Sequence, residues 1–305
     1  MSPNEDVNPL DLEHFMSVAL KLVHEAGEMI VKALDDRSTV EAKSANEPEG
    51  HASAILTETD TNVEKHIISG LASKFPEHRF IGEESMSDAT DGQIAQFSHQ
   101  PTWIIDPIDG TMNFVHANPL VCTSVALTVN RHVVLGIVNN PVTRSCYTAI
   151  KGKGAFLNGS KLLKTSGIED LGQAMIFMEL SAGAHEHKRQ VALDNVAAFM
   201  EKAHAIRCPG PAALDIAWVG AGSGDAFFHF SIHVWDMAAG ELSSLICALI
   251  VTEAGGAVLD PSGKEFDMMS RGIVAAATPQ LAKEVVEHLK IYVALPRDYP
   301  EHCPL

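Results

Sequence analysis

The chain has 305 residues, 46% of them hydrophobic and 20% charged, enough apolar material for one large domain or two fused layers and too much for wholesale disorder. With 22 basic and 39 acidic side chains the formal net charge is −17, a balance that repels nucleic acid and anionic membranes. The five cysteines, Cys122, Cys146, Cys208, Cys247 and Cys303, are odd in number, scattered and without a CxxC pair, which excludes a disulfide framework or a structural zinc site and fits a reducing, cytoplasmic setting.

Residues 1–9 read as a loose acidic tail without the apolar run of a signal peptide. From Leu10 to about Leu34 apolar residues recur at helical spacing, among them Leu12, Met16, Ala19 and Val23. The polar stretch 43–54 reads as a mobile loop. Thr61-Asn62-Val63-Glu64 has the form of a capping box and predicts a helix from there to about Ala72. Arg79–Ile81 and Thr102–Ile105 read as short buried strands. Val121–Val129, Val133–Val138 and Cys146–Ile150, each bounded by turn residues, predict an antiparallel meander. Beyond it, strands at Ala174–Met178, Asp225–Phe230, Ala257–Leu259 and Ile273–Ala276 alternate with helices at His187–Lys202, Ala212–Ala221, Met237–Glu253 and Gln280–Leu289. The longest apolar run, Leu242–Val251, contains Ser243 and Ser244 and is too short to span a bilayer. An antiparallel half followed by a mixed half predicts an α/β (α+β) fold of layered sheets and helices. The expected organisation is one domain over 10–295, with a soft internal boundary near 150–170 and a second tail at 296–305.

Four segments place carboxylates directly after apolar runs: Thr59-Asp60, Ile81-Gly82-Glu83-Glu84, Ile105-Asp106-Pro107-Ile108-Asp109 and Val234-Trp235-Asp236. Each alone has a plain structural reading. Asp60 would be a helix cap, Asp236 the N-cap of a helix starting at Met237, and Glu83-Glu84 a solvated loop. Together they either lie apart or share a hard divalent cation such as magnesium, because gathered carboxylates repel one another and burial penalises each. Pro107 predicts that the strand stops and turns, so that Asp106 and Asp109 converge with the Ile108 carbonyl between them. Gly110 allows close backbone approach, and Thr111 opens a turn whose free N–H groups can hold a phosphate.

In order and separation, TETD (57–60), IGEES (81–85), WIIDPIDGTMNF (103–114) and WDMAAG (235–240) resemble the signature segments of the inositol monophosphatase family, with KGKGAFLNG (151–159) and TEAGG (252–256) adding to the likeness over roughly residues 12–295. The resemblance implies the layered αβαβα sandwich of the inositol monophosphatase and fructose bisphosphatase type. It implies two to three Mg2+ per subunit: one held by Glu83, Asp106 and the Ile108 carbonyl, a second by Asp106, Asp109 and Asp236, and a weaker third near Glu83. A metal-activated water would attack phosphorus, with Thr111, hydrogen-bonded to Asp60, helping to deprotonate it and Glu83 assisting. Gly110 and Thr111 would bind phosphate, and Asp109, Ala212, His229 and Asp236 would face the rest of the substrate. Lithium sensitivity and a homodimer are implied as well.

Three positions depart from the family pattern. His229 stands where an acid often accepts substrate hydroxyls, Ala182 where a serine is common, and Pro211 at the opening of the helix over Ala212–Ala221, where a first helical position suits proline. His229 reads equally well as a surface histidine. The leading expectation is a Mg2+-dependent phosphomonoesterase acting on myo-inositol monophosphates, a small phosphorylated polyol substrate. A phosphatase of another sugar phosphate, polyol phosphate or nucleotide is the alternative, and a protein-binding relative with secondary catalysis a further one. No twelve-residue calcium loop occurs.

Overall fold

The computed structural model describes residues 9–35, 58–86, 99–180, 186–230, 242–266 and 272–291. The loop expected at 43–54, Ala182, and the whole of 231–241 with Asp236 lie outside the described residues.

The first amphipathic stretch forms helix α1 (Pro9–Asp35), and α2 (Glu58–Lys74) packs beside it. Their apolar faces, with Val23, Ile30, Ile67 and Leu71 fully buried, cover one face of the first sheet against Trp103, Ile105 and Leu127. Helix α2 starts three residues before the expected capping box, with Glu58 and Asp60 in its first turn, where acids oppose the helix dipole favourably. Glu64 therefore does not reach back to Thr61. Its carboxylate accepts the backbone N–H groups of Glu84 (2.7 Å) and Ser85 (2.9 Å) and so caps another element, the single turn α3 (Glu83–Met86).

The first sheet has seven strands in chain order: β1 (Arg79–Gly82), β2 (Thr102–Asp109), β3 (Cys122–Val129), β4 (His132–Asn140), β5 (Ser145–Ile150), β6 (Gly154–Leu157) and β7 (Lys161–Leu162). β1 runs parallel to β2 and every other neighbouring pair is antiparallel. Pro107 does not end β2 as the sequence suggested. The strand continues to Asp109 through a register shift against β3 between Asp106 and Asp109, with Thr123 Oγ1 donating to the Pro107 carbonyl at 2.8 Å. The reason is the edge. β1 pairs with β2 only as far as Gly82↔Ile105, so the N–H that Pro107 lacks had no β1 partner to lose. Helix α4 (Thr111–Val115) follows directly.

The second sheet has the order β11-β12-β10-β8-β9, built from β8 (Met175–Met178), β9 (Ala205–Arg207), β10 (Ala226–Phe230), β11 (Ala257–Leu259) and β12 (Gly272–Ala276). β8 is parallel to both β9 and β10, while β12 runs antiparallel to β10 and β11. Helices α5 (Glu186–Lys202) and α8 (Pro279–His288) cover its outer face through Phe199, Leu281 and Val285. Thr278 caps α8 by accepting from Leu281 N–H at 3.1 Å. Between the sheets lie α6 (Ala212–Gly220) and α7 (Leu242–Glu253), packed on each other and on both sheets. The result is the expected five-layer αβαβα order. Glu253 ties the middle layer to the first sheet, its two carboxylate oxygens accepting from Gly152 (2.7 Å) and Gly154 (2.8 Å), which gives the KGKG and TEAGG segments a common structural role. Among the described residues no helix is long and apolar enough to cross a membrane.

Candidate active site

The parallel pairing of β1 and β2 creates the centre of the site. Because Gly82 stands opposite Ile105, the residues that follow, Glu83 and Asp106, leave the sheet side by side and share a hydrogen bond. Gly82 has to be glycine: a Cβ there would lie 2.3 Å from Glu64 Cδ, inside the carboxylate that caps α3. Asp60, 3% exposed in the first turn of α2, is near enough to raise the pKa of both. Burial first, then the neighbouring acids, pushes Glu83 up to about 8 and Asp106 well above the carboxylate range.

Asp109 closes the row. Burial lifts it to about 6, held back by the Ala213 N–H, the Cys122 thiol and the N–H groups of Gly110 and Ala212. Its Oδ2 accepts from Ala213 N–H at 2.7 Å and lies 3.8 Å from Cys122 Sγ. The Ala212 N–H expected to meet substrate thus points toward Asp109. Gly110 adopts a left-handed backbone (φ 89°), and a Cβ there would sit 2.8 Å from Pro211 Cγ, so both conformation and space demand glycine. Pro211 is the N-cap of α6, one residue before the first helical position expected for it. Asn113 stitches the two sides together, its Nδ2 donating to the carbonyls of Leu120 (2.8 Å) and Pro209 (2.9 Å). Thr111 Oγ1 donates to the Ile108 carbonyl at 3.3 Å, where the sequence reading put it on Asp60.

Among the described residues no three His, Cys, Asp or Glu side chains form a ready ion-holding group. The first ion would take two carboxylates and a backbone carbonyl, and the second needs Asp236, outside the described residues. The chemistry of the donor set fits a hard cation. Asp106 is 2% exposed, its Oδ1 has no hydrogen-bond partner, and burial with the repulsion of Glu83, Asp109 and Asp60 raises its pKa, a repulsion that a divalent ion would relieve.

A second group faces this row from the other sheet. The C-terminal ends of β8 and β10 bring Glu179 and His229 together, Nε2 to Oε2 at 3.6 Å. Burial, followed by the Asp109 charge, lifts Glu179 to about 8, and burial holds His229 down at about 4. On α6, Asp215 is fully buried with both carboxylate oxygens unpartnered, and burial followed by Glu179 and Asp109 raises it to about 9. Sequence reasoning found His229 and missed Glu179 and Asp215. Glu179 carries the same signal as the four recognised segments, an acid directly after a buried run, here Met175–Met178. Asp215 left no such signal because it sits inside an apolar helix.

A family model described as the inositol monophosphatase family matches residues 11–294. Inositol monophosphatase 1 of Rattus norvegicus is 40% identical over 284 residues, 93% of this chain and 96% of that protein. The extragenic suppressor protein suhB of Bartonella henselae superposes with a TM-score of 0.76 at 26% identity, covering 92% of this chain and 100% of the other. An IMPase of Thermotoga maritima has a TM-score of 0.72 at 29% identity, over 90% of this chain and 96% of its own.

Proposed function

Because the chain belongs to the inositol monophosphatase family, we propose that it is a Mg2+-dependent phosphomonoesterase releasing phosphate from myo-inositol monophosphates. The observation that carries this is Asp106: a buried carboxylate with an unpartnered oxygen, wedged between Glu83 and Asp109 at the paired ends of β1 and β2. Two to three ions would be held, one by Glu83, Asp106 and the Ile108 carbonyl, another by Asp106 and Asp109 with Asp236. Bound there, Mg2+ would supply positive charge against the phosphoryl oxygens and lower the pKa of water.

The chain's own residues do the rest. The backbone N–H groups of Gly110 and Thr111 receive the phosphate oxygens. Asp109 is fixed in orientation by the Ala213 N–H and the Cys122 thiol. Thr111 Oγ1 exchanges its long contact to the Ile108 carbonyl for one to the attacking water, and the buried Asp60 accepts the proton through it, assisted by Glu83. His229 faces the polyol, while the Ala212 N–H stays on Asp109. We extend the reading to a single phosphatase domain over 10–295, a cytoplasmic homodimer, and inhibition by Li+ in the place of one Mg2+.

A second reading, a phosphatase of another small sugar or polyol phosphate or of a nucleotide, is favoured by His229, which burial keeps uncharged. One experiment decides: Mg2+-dependent phosphate release from inositol 1-phosphate, other sugar phosphates, a nucleotide monophosphate and a nucleotide bisphosphate. Inositol 1-phosphate is expected to lead. If another ester leads, the second reading takes its place. If the protein binds Mg2+ and hydrolyses nothing, catalysis itself is refuted and a binding role stands.

A further inference from the structure

We propose that the cleft between the last three turns of α1 and the β4–β5 hairpin binds a short zwitterionic peptide, its ammonium group toward α1 and its carboxylate toward Arg144. The site lies apart from the reaction proposed above, and none of the residues lining it belongs to the carboxylate row.

The close approach at Gly27 fixes the cleft. A Cβ there would lie 2.9 Å from Pro141 Cβ and 3.1 Å from Asn139 Nδ2, so the helix backbone rests on the hairpin at that point. Around the contact the two elements leave a space of about 720 Å³, far more than one ion or water fills and within the range of roughly 300–1,000 Å³ that small-molecule sites occupy. The hairpin side is rigid. Asn140 Oδ1 accepts from Thr143 N–H at 2.9 Å, and Asn158 bonds both the Cys146 N–H (2.8 Å) and the Arg144 carbonyl (3.1 Å). Arg144 is thereby held in a left-handed backbone conformation (φ 54°) and stands exposed on the rim. A preformed wall spares a ligand the cost of ordering it.

The chemistry of the lining favours a peptide. Asn139 is 4% exposed, faces α1, and its amide has no hydrogen-bond partner among the described residues. A buried amide left unpaired is costly, and a peptide group, with one N–H donor and one carbonyl acceptor, complements it. Val31, Pro141 and Val142 add apolar surface beside it, where an aliphatic side chain can rest. Charge of both signs borders this strip. On α1, Glu28 and Asp35 flank Lys32 and leave that wall net negative, while Arg144 stands on the hairpin. Glu28 and Lys32 are one turn apart in the order that favours pairing, yet among the described residues no ion pair joins them. Lys21 and Glu25, in the poorer order on the same helix, do pair at 3.9 Å. The acids at the cleft therefore keep their charge open to it. A simple anion would meet Glu28 and Asp35, and a simple cation would meet Arg144, whereas a zwitterion answers both.

The test is calorimetric titration of the full-length protein with glycyl-valyl-glycine, its N-acetyl form and its C-terminal amide. The wild type should bind the free tripeptide saturably, one to one, and each blocked form about threefold to tenfold more weakly, the loss of one charge-assisted contact at a partly exposed site. Arg144→Gln should weaken the free tripeptide by the same factor and leave the amide unchanged. Glu28→Gln combined with Asp35→Asn should weaken the free tripeptide and leave the N-acetyl form unchanged. All three positions are exposed, so the variants should melt with the wild type. No saturable binding by the wild type overturns the proposal. So does a blocking effect of the same size in wild type and variants, which would put the peptide elsewhere on the surface. Free valine binding as tightly as the tripeptide would refute a ligand that spans the cleft.

Discussion

The two sides of the cleft are both lined with buried acids, yet they solve the problem of burial differently. At the ends of β1 and β2, Glu83, Asp106 and Asp109 form a row in which one oxygen of Asp106 has no partner and every pKa is raised. At the ends of β8 and β10, Glu179 has a histidine beside it, and Asp215 is closed off from solvent behind. Both sides answer burial by taking up protons, Glu83 and Glu179 alike being raised to about 8, but on the first the acids adjoin one another, whereas on the second Glu179 adjoins a histidine. Acids that raise one another at close quarters mark the place where a cation would be held.

The sharpest way to break this contrast is to remove the frustrated carboxylate. Asp106→Asn should lower Mg2+-dependent phosphate release by ~10³-fold or more, since the electrostatic stabilisation it organises is lost. Its folded state should be about as stable without Mg2+, because the raised pKa leaves this carboxyl neutral and the amide is its neutral counterpart. Calorimetric Mg2+ titration and thermal melts of the metal-free protein check both halves. A variant that keeps a tenth of the activity would mean that the row is not the centre.

The next effect concerns protons. Glu83 near 8 and Asp106 above its usual range must release protons before they ligate a cation. Apparent Mg2+ affinity should therefore climb between pH 6 and 8, by up to about tenfold per unit while one proton is displaced. The slope should flatten in Glu83→Gln. Titration in two buffers of different ionisation enthalpy reads the released protons directly, and a pH-independent affinity with no proton release would contradict the raised pKa values.

How much of this was visible in the sequence divides along the same line. The first side sits on two strands and the turns after them, so its residues are neighbours in the chain: Asp106, Ile108, Asp109, Gly110 and Thr111 fall within six positions. An apolar run ending in acids declared them. The second side is assembled from β8, α6 and β10, separated by about fifty residues of chain, and only packing brings Glu179, Asp215 and His229 together. Helix and strand existence was legible wherever the pattern was long. β6, β7 and β9 were not: at two to four residues they show no alternation, and they were not picked out as the equally short β1, β8 and β11 were. Glu64 misled because a capping box is a local rule, and the carboxylate found better-placed N–H groups in α3, twenty residues away. Pro107 misled because a strand edge removes the penalty that proline normally carries.

Glu64 also provides the next test, since it supports the frustrated side without touching it. Glu64→Ala leaves the Glu84 and Ser85 N–H groups uncapped, which should cost about 1–2 kcal/mol and lower the melting temperature by a few degrees, roughly 2–4 °C per kcal/mol for a chain near this size. Because α3 carries Glu83, half-saturating Mg2+ should also rise severalfold while activity at saturating Mg2+ falls less. If the melt shifts and the Mg2+ requirement does not, α3 is held in place by something other than this cap.

Asp215 gives the smallest effect on turnover and the cleanest view of the balanced side. Its carboxyl is raised from the usual 3.8 to about 9 by burial first and then by Glu179 and Asp109, so between those values the folded protein holds a proton that the unfolded chain has lost. Stability from this group is fully present below about 3.8 and drains away as pH rises toward and through 9. His229 works in the opposite sense: lowered from 6.5 to about 4, it contributes stability above 6.5 that is lost as pH falls through that range. A window from pH 6.5 to 8.5 therefore leaves the histidine out, and Glu83 and Glu179, raised to about 8, titrate in both proteins and cancel in the difference. In it, wild-type stability should fall relative to Asp215→Asn by about 1 kcal/mol or more, given that one pKa unit corresponds to ~1.4 kcal/mol and that local relaxation reduces the full amount. Any constant cost of burying the amide cancels, because only the change with pH is read. Denaturant melts of both proteins at several pH values with Mg2+ fixed supply the difference. Parallel curves would show that Asp215 is ionised in the folded state, and the second side of the cleft would then be as charged as the first.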